Sequence, residues 1–268
     1  MKHFIFKEEK IAYREAGSTD RPALFFVHGN SLSSATWKEQ FEDSGITDNF
    51  HCFALDLPGH GESSRKVSLY DLDNLKEIVI EFINEFGSMG SVAVGHSLGG
   101  HLLLESAEKL ALDGMLIFGT PPLGFPPDPN ALFLPDPALQ FIYSENLSDQ
   151  QAQQLAEAYV SGENQVSMLK ESILHTDGLF RAALGASVMM GHLEDEVKIV
   201  QNLEIPLGVL HGKEEKLVNL EYIQKLDMPT LWQEKVIIID HSSHSPQLES
   251  PVIFNHHLID FARYSLQK

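Results

Sequence analysis

Cysteine occurs once in the 268 residues, at Cys52. No disulfide can close within the chain, and no cysteine-based zinc site can form. Basic residues are scarce. The 19 Lys and Arg face 38 Asp and Glu, a formal net charge of −19. A field of that sign repels phosphate backbones and anionic lipid surfaces, so neither nucleic acid nor a membrane surface is an expected partner. A small neutral substrate suits it best. There is no apolar run of about 18 residues, so no membrane insertion is expected. The segment Met1–Lys10 is too charged for a secretory signal. A cytoplasmic location is the expectation. Internal repeats and low-complexity tracts are also absent.

What is present is ordinary for a folded domain: 43% apolar and 21% charged residues. A chain of this size can bury roughly 70–75% of its unfolded surface. Ala23–Val27 is wholly apolar, as expected of a strand covered on both faces. His51–Leu55, Ser91–Val94, Met115–Phe118, Leu207–Leu210 and Val236–Ile239 read the same way, with His3–Phe6 and Ile11–Arg14 as smaller strands. Between them, Leu72, Leu75, Val79, Phe82, Ile83 and Phe86 share one helical face. Alternation of strand and helix predicts βαβ units and a mostly parallel sheet, an α/β fold.

The rhythm breaks at Thr120. Pro121, Pro122, Pro126, Pro127, Pro129, Pro135 and Pro137 exclude a regular helix or a central strand there. Helical segments follow. Ser148 and Gln151 have the spacing of a capping box, and Gly162 is a plausible stop. Leu179, Ala182, Ala183, Ala186 and Met190 mark the face of a later helix. Ser250-Pro251 opens the last helix, with Phe254, Leu258, Phe261 and Ala262 inward. The chain thus divides into a core in two parts, 1–119 and 201–268, and a helical cap insertion over 120–200.

Gly95-His96-Ser97-Leu98-Gly99 carries the strongest chemical signal. A strand precedes it and the helical run Leu98–Lys109 follows, the setting a G-x-S-x-G elbow needs. Small residues at 95 and 99 let strand and helix approach, and Ser97 is presented at a helix N-terminus that favours negative charge. A serine nucleophile needs a base, and the base an orienting acid; in this arrangement the chain order is serine, acid, histidine. His244 follows the strand Val236–Ile239 and is the chosen base, with His241 as its alternative. Glu215, three residues after Gly212, is the chosen acid, with Glu214 as its alternative. An oxyanion needs two donors. The N–H of Leu98 supplies one, and that of Asn30, after the strand Ala23–Val27, the other; the Asn30 side chain is also placed to bind substrate or to shape the turn. His241 and His244 form an H-x-x-H pair without a third ligand at a recognisable spacing, and no H-E-x-x-H, G-x-G-x-x-G or P-loop occurs. No metal and no cofactor are expected.

With His28-Gly29-Asn30, Asp56-Leu57-Pro58-Gly59-His60-Gly61, Gly95–Gly99, Gly212–Glu215 and His244, the chain resembles the α/β-hydrolase family from residue 28 to 244. More narrowly, His28-Gly29-Asn30-Ser31, Gly119-Thr120-Pro121-Pro122, Thr176-Asp177-Gly178, a glutamate at 215 and Leu231-Trp232 are similar to the α/β-hydrolase type of N-acyl-homoserine lactonase. Those enzymes open the lactone of bacterial quorum-sensing signals. The resemblance implies a cap over an apolar acyl tunnel, Asn30 near the substrate, and a cap tyrosine, Tyr159, contacting the lactone. Phe125, Leu132, Phe133, Leu134, Leu139, Phe141, Ile142, Met168, Met189 and Met190 are available to line such a tunnel or to bind cap to core. His28-Gly29-Asn30 is also similar to haloalkane dehalogenases, but those use an aspartate where Ser97 stands. Two further readings remain open. One is a carboxylesterase acting on small linear acyl esters. The other is a hormone receptor on the same fold, in which slow hydrolysis triggers partner binding.

Overall fold

The computed structural model describes residues 1–87 and 90–267. Its strands are β1 (Lys2–Phe6), β2 (Glu9–Ala16), β3 (Ala23–Val27), β4 (His51–Leu55), β5 (Ser91–His96), β6 (Gly114–Phe118), β7 (Leu207–Gly212) and β8 (Ile237–Ile239). They form one sheet in the order β1-β2-β4-β3-β5-β6-β7-β8. The β1–β2 and β2–β4 pairings are antiparallel, and the rest are parallel. The α/β class and mostly parallel sheet expected from the sequence are therefore present. β3 and β4 have the bounds read from the sequence. β5 and β7 run two residues further, so both reach the edge where the chemistry is gathered.

Alternation along each strand fills two cores. In β3, Phe25 and Val27 join one core with Leu75, Ile78, Val79 and Phe82 of helix α1 (Leu72–Phe86) and Leu102 of helix α2 (Leu98–Ser106). Leu24 and Phe26 face the other way and join Trp37, Phe118, Phe254, Leu258 and Phe261. The last three of the expected inward residues, Leu258, Phe261 and Ala262, and Phe254 with them, are all buried. Both faces of the central strands are covered, which explains their unbroken apolar runs.

Between β6 and β7 the chain leaves the sheet. Prolines begin two short helical turns, Pro129–Leu132 and Pro137–Phe141. Four helices follow: α3 (Asp149–Tyr159), α4 (Glu163–His175), α5 (Gly178–Met189) and α6 (Glu196–Asn202). The capping box at the start of α3 is complete, each of Ser148 and Gln151 bonding the other's backbone. Gly162 is not a stop. α3 ends at Tyr159, Val160 turns extended, and Gly162 is the N-cap of α4, a position glycine tolerates. The face expected for α5 holds only at Ala182 and Ala183, which are half-buried. Leu179, Ala186 and Met190 are exposed, and Phe180, Arg181, Leu184, Gly185 and Ser187 are buried. Arg181 is held inward by the carbonyls of Ser144, Glu145 and Ile173, so hydrogen bonding fixes this face together with the burial of Phe180 and Leu184 in the first core. α7 (Pro251–Ser265) closes the chain against the second core. Among the described residues no helix is long and apolar enough to cross a membrane.

Candidate active site

Ser97 stands between β5 and α2 with φ 51° and ψ −115°. A non-glycine residue in this region costs about 1–3 kcal/mol and persists only where its surroundings impose it. The glycines around it show how. A Cβ on Gly95 would lie 2.5 Å from the Gly100 Cα, and one on Gly99 would lie 2.2 Å from the Val27 carbonyl oxygen. Strand and helix therefore approach more closely than any side chain allows. The Ser97 N–H donates to Phe118 O at 2.9 Å, and the Thr120 hydroxyl donates to Ser97 O at 2.9 Å. Leu98 is the first residue of α2, so its N–H has no acceptor within the helix.

Glu215 and His244 come from the loops after β7 and β8. A Cβ on Gly212 would meet the Ser243 carbonyl oxygen at 2.0 Å, so glycine there lets the two loops touch. The Glu214 N–H donates to Ser242 O at 2.8 Å and fastens them. His244 Nδ1 then lies 2.8 Å from Glu215 Oε2, with the side chains 3% and 2% exposed. The other Glu215 oxygen accepts the Leu217 N–H at 2.8 Å. Burial pushes the Glu215 carboxyl up, but the His244 charge and hydrogen bond, the Leu217 N–H and the charge of His211 together hold it below the usual value. The alternatives do not share this setting. Both Glu214 and His241 are exposed.

Three histidines that flank the motifs fix these loops. His96 is wholly buried, stacks on Phe118 at 4.8 Å, and lies with Nε2 3.0 Å from the His244 carbonyl, to which it donates. Burial and the neighbouring His244 charge keep it well below the usual histidine range, so it is neutral. His28 accepts the Leu57 N–H through Nε2 at 3.0 Å, and its Nδ1 donates to Gly29 O at 2.8 Å. His60 accepts the Ser31 N–H at 3.1 Å and donates to Pro58 O at 3.0 Å. The loop that carries Asn30 is thereby tied to the loop Asp56–Gly61. The His-Gly-Asn and Asp-Leu-Pro-Gly-His-Gly signatures are thus one structural unit, which sequence reading treated as two.

Ser97, His244, Asn30 and Tyr159 all line one cavity of about 640 Å³. The Ser97 hydroxyl makes no hydrogen bond to His244; such contacts are often long before substrate binds. Gly119, at φ +61°, lies against the His244 ring, where a Cβ would come within 2.7 Å of Cε1. The Tyr159 ring is 5.2 Å from that of His244, and burial pushes its phenol above the ordinary range. It therefore stays protonated and able to donate. Asn30 Nδ2 donates to the Ile142 carbonyl at 2.8 Å, joining the loop after β3 to the inserted segment. Leu132, Phe133, Leu134, Leu139 and Ile142 supply apolar wall. Phe141 and Met168 are not part of it, and Phe125, Met189 and Met190 face outward at 59%, 90% and 72% exposure. The site can accept a neutral molecule with an apolar arm, and it offers one hydroxyl beside an imidazole–carboxylate pair.

Comparison with known proteins identifies the family. The model of the alpha/beta hydrolase family matches residues 24–256. The chain is 23% identical to the bifunctional esterase/perhydrolase DCH of Acinetobacter calcoaceticus, over 94% of this chain and 96% of that protein. It is 25% identical to the pimeloyl-(acyl-carrier protein) methyl ester esterase of Vibrio cholerae, over 89% and 93% respectively. Among solved structures, a variant of the N-acyl homoserine lactonase AidH complexed with N-hexanoyl homoserine lactone has a TM-score of 0.91 and 28% identity, covering 99% of this chain and 98% of that one. AidH complexed with N-butanoyl homoserine gives 0.89 and 29%, covering 97% and 95%.

Proposed function

Since the chain belongs to the alpha/beta hydrolase family and is a hydrolase of ester bonds, we propose that it opens N-acyl homoserine lactones through an acyl-enzyme on Ser97. The observation that carries the chemistry is the buried His244–Glu215 pair at 2.8 Å, sharing one cavity with the strained Ser97 elbow. His244 takes the Ser97 proton as the hydroxyl attacks the lactone carbonyl. Glu215 holds the imidazole in the tautomer whose Nε2 accepts, and stabilises the cation that forms. The Leu98 and Asn30 N–H groups receive the oxyanion, which is where such donors contribute most. His244 then protonates the ring oxygen as it leaves. Water, deprotonated by His244, releases the opened acid.

Segment 120–200 acts as a cap over the apolar arm of the substrate, with Tyr159 and the Asn30 carboxamide at its reacting end. The likeness to AidH over nearly the whole chain supports the lactone. The net charge of −19 suits the outcome, because the substrate is neutral and the product is an anion that the same field repels.

Turnover of acyl-homoserine lactones and of short linear esters, measured side by side, tests the reading. Mass spectrometry is expected to show a product heavier than the lactone by one water, its amide intact. Free fatty acid with homoserine lactone would mean amide cleavage instead. Rapid hydrolysis of a short linear ester, with no turnover of any acyl-homoserine lactone, would make the protein a carboxylesterase. Rapid turnover without a partner also excludes a receptor role.

A further inference from the structure

Leu98, His101, Leu102 and Glu105 all line the cavity. Their spacing is that of a single face of α2, continuing down the helix from Ser97. Two of the four are ionisable, in a cavity that Leu72, Leu123, Val188 and Leu193 also line. His101 Nδ1 lies 2.9 Å from both carboxylate oxygens of Glu196, on α6. The Glu196 side chain is 0% exposed and also accepts the Leu123 N–H at 2.8 Å. The Glu105 side chain is 3% exposed and pairs with Lys76 at 3.2 Å. The His101 Nε2 makes no hydrogen bond among the described residues.

This arrangement repeats that of His244 and Glu215. A buried glutamate holds an imidazole through Nδ1, and the histidine that carries it lines the cavity. Yet His101 is four residues beyond Ser97, about one helical turn or roughly 6 Å along the axis, so it lines the cavity further along α2 than the attacking hydroxyl. A wall for a plain alkyl chain needs only apolar side chains. An ion pair buried in that wall costs desolvation energy that apolar residues of the same volume would avoid. Burial pushes the imidazole down, but the Glu196 charge and hydrogen bond and the Glu105 charge raise it overall. With Nδ1–H turned to Glu196, Nε2 accepts in the neutral ring and donates in the protonated one.

We propose that this face of α2 is a polar subsite within the acyl pocket, where His101 Nε2 exchanges a hydrogen bond with an oxygen borne on the acyl chain. The preferred substrate is then an ester or lactone whose acyl group carries a hydroxyl or keto oxygen a few carbons from the carbonyl. The inference rests on the reading that Ser97 attacks such esters. It goes beyond that reading by naming the acyl class and the residue that selects it.

The test compares kcat/KM for straight-chain, hydroxy-substituted and keto-substituted acyl derivatives of one chain length and one leaving alcohol. The oxygen is walked along the chain, and an acetyl ester too short to reach His101 is included. The wild type is expected to favour the oxygenated acyl group by roughly tenfold at one position, the worth of one hydrogen bond. In His101→Leu that ratio is expected to fall to about one, whatever the absolute rates, and His101→Gln should keep part of it. Should His101→Leu misfold with Glu196 left unpaired, the double variant His101→Leu/Glu196→Leu removes both partners and is read the same way. A merely structural pair would change stability and leave the ratio untouched. Hydrolysis of the acetyl ester with no preference at any position in the wild type overturns the subsite alone. A preference that survives in the variants overturns it too. No hydrolysis of any member overturns the functional reading, and the subsite with it.

Discussion

The Asn30 carboxamide and the Ile142 carbonyl, 112 residues apart in sequence, meet at 2.8 Å on the wall of the cavity. This bond links the loop after β3 to the segment between β6 and β7. Asn30→Ala keeps the backbone donor and removes the link. The variant is expected to lose about 1–3 kcal/mol of stability, because the Ile142 carbonyl loses its partner. In steady-state kinetics KM should rise more than kcat falls. A collapse of kcat at unchanged KM would show that the side chain acts on the transition state itself.

Glu215→Gln keeps the shape of the acid and removes its charge. The imidazole then favours the wrong tautomer, and kcat should drop roughly 10²–10⁴-fold. Glu214→Gln, at an exposed position, should change kcat by less than about twofold. Reversal of the two results in a parallel assay would move the acid by one residue.

The same carboxyl makes stability depend on pH. In the folded protein it is held below its ordinary value of 4.5, because the interactions with His244 and Leu217 outweigh burial. Its contribution is therefore complete above that value and disappears as the pH falls through the lowered one. Thermal melts of Glu215→Gln below pH 4.5 should lose less stability per pH unit than those of the wild type. Equal slopes would assign the acid loss to other carboxylates.

Arg181 is 3% exposed and donates to the carbonyls of Ser144, Glu145 and Ile173 at 2.7, 3.1 and 3.2 Å. Arg181→Leu strands those three carbonyls inside the inserted segment. A loss of about 3 kcal/mol or more is expected in urea unfolding. A loss under about 1 kcal/mol would mean that the segment repacks around the missing guanidinium.

Much of the core could be read from the chain because its strands are buried on both faces, and continuous apolar runs such as Ala23–Val27 have one good interpretation. The elbow was legible for a similar reason, since its glycines are dictated by backbone approach distances. The inserted segment was harder. The inward face of α5 carries Phe180 and Leu184, but it is also set by what Arg181 bonds and by the close approach of Gly185 to Tyr143, neither of which periodicity records. His96 and His28 are buried for their hydrogen bonds, so they look no different in sequence from exposed histidines. The His101–Glu196 pair joins residues 95 positions apart, and its two members carry no shared motif. Only the packing of α6 on α2 brings them together.

Covalent labelling tests the proposed nucleophile most directly. The protein is treated with a fluorophosphonate, and the adduct is located by intact mass and peptide mapping. A single phosphonyl group on the peptide that holds Ser97, absent from a folded Ser97→Ala variant, is the predicted result. An adduct on any other residue, or equal labelling of wild type and Ser97→Ala, would contradict it.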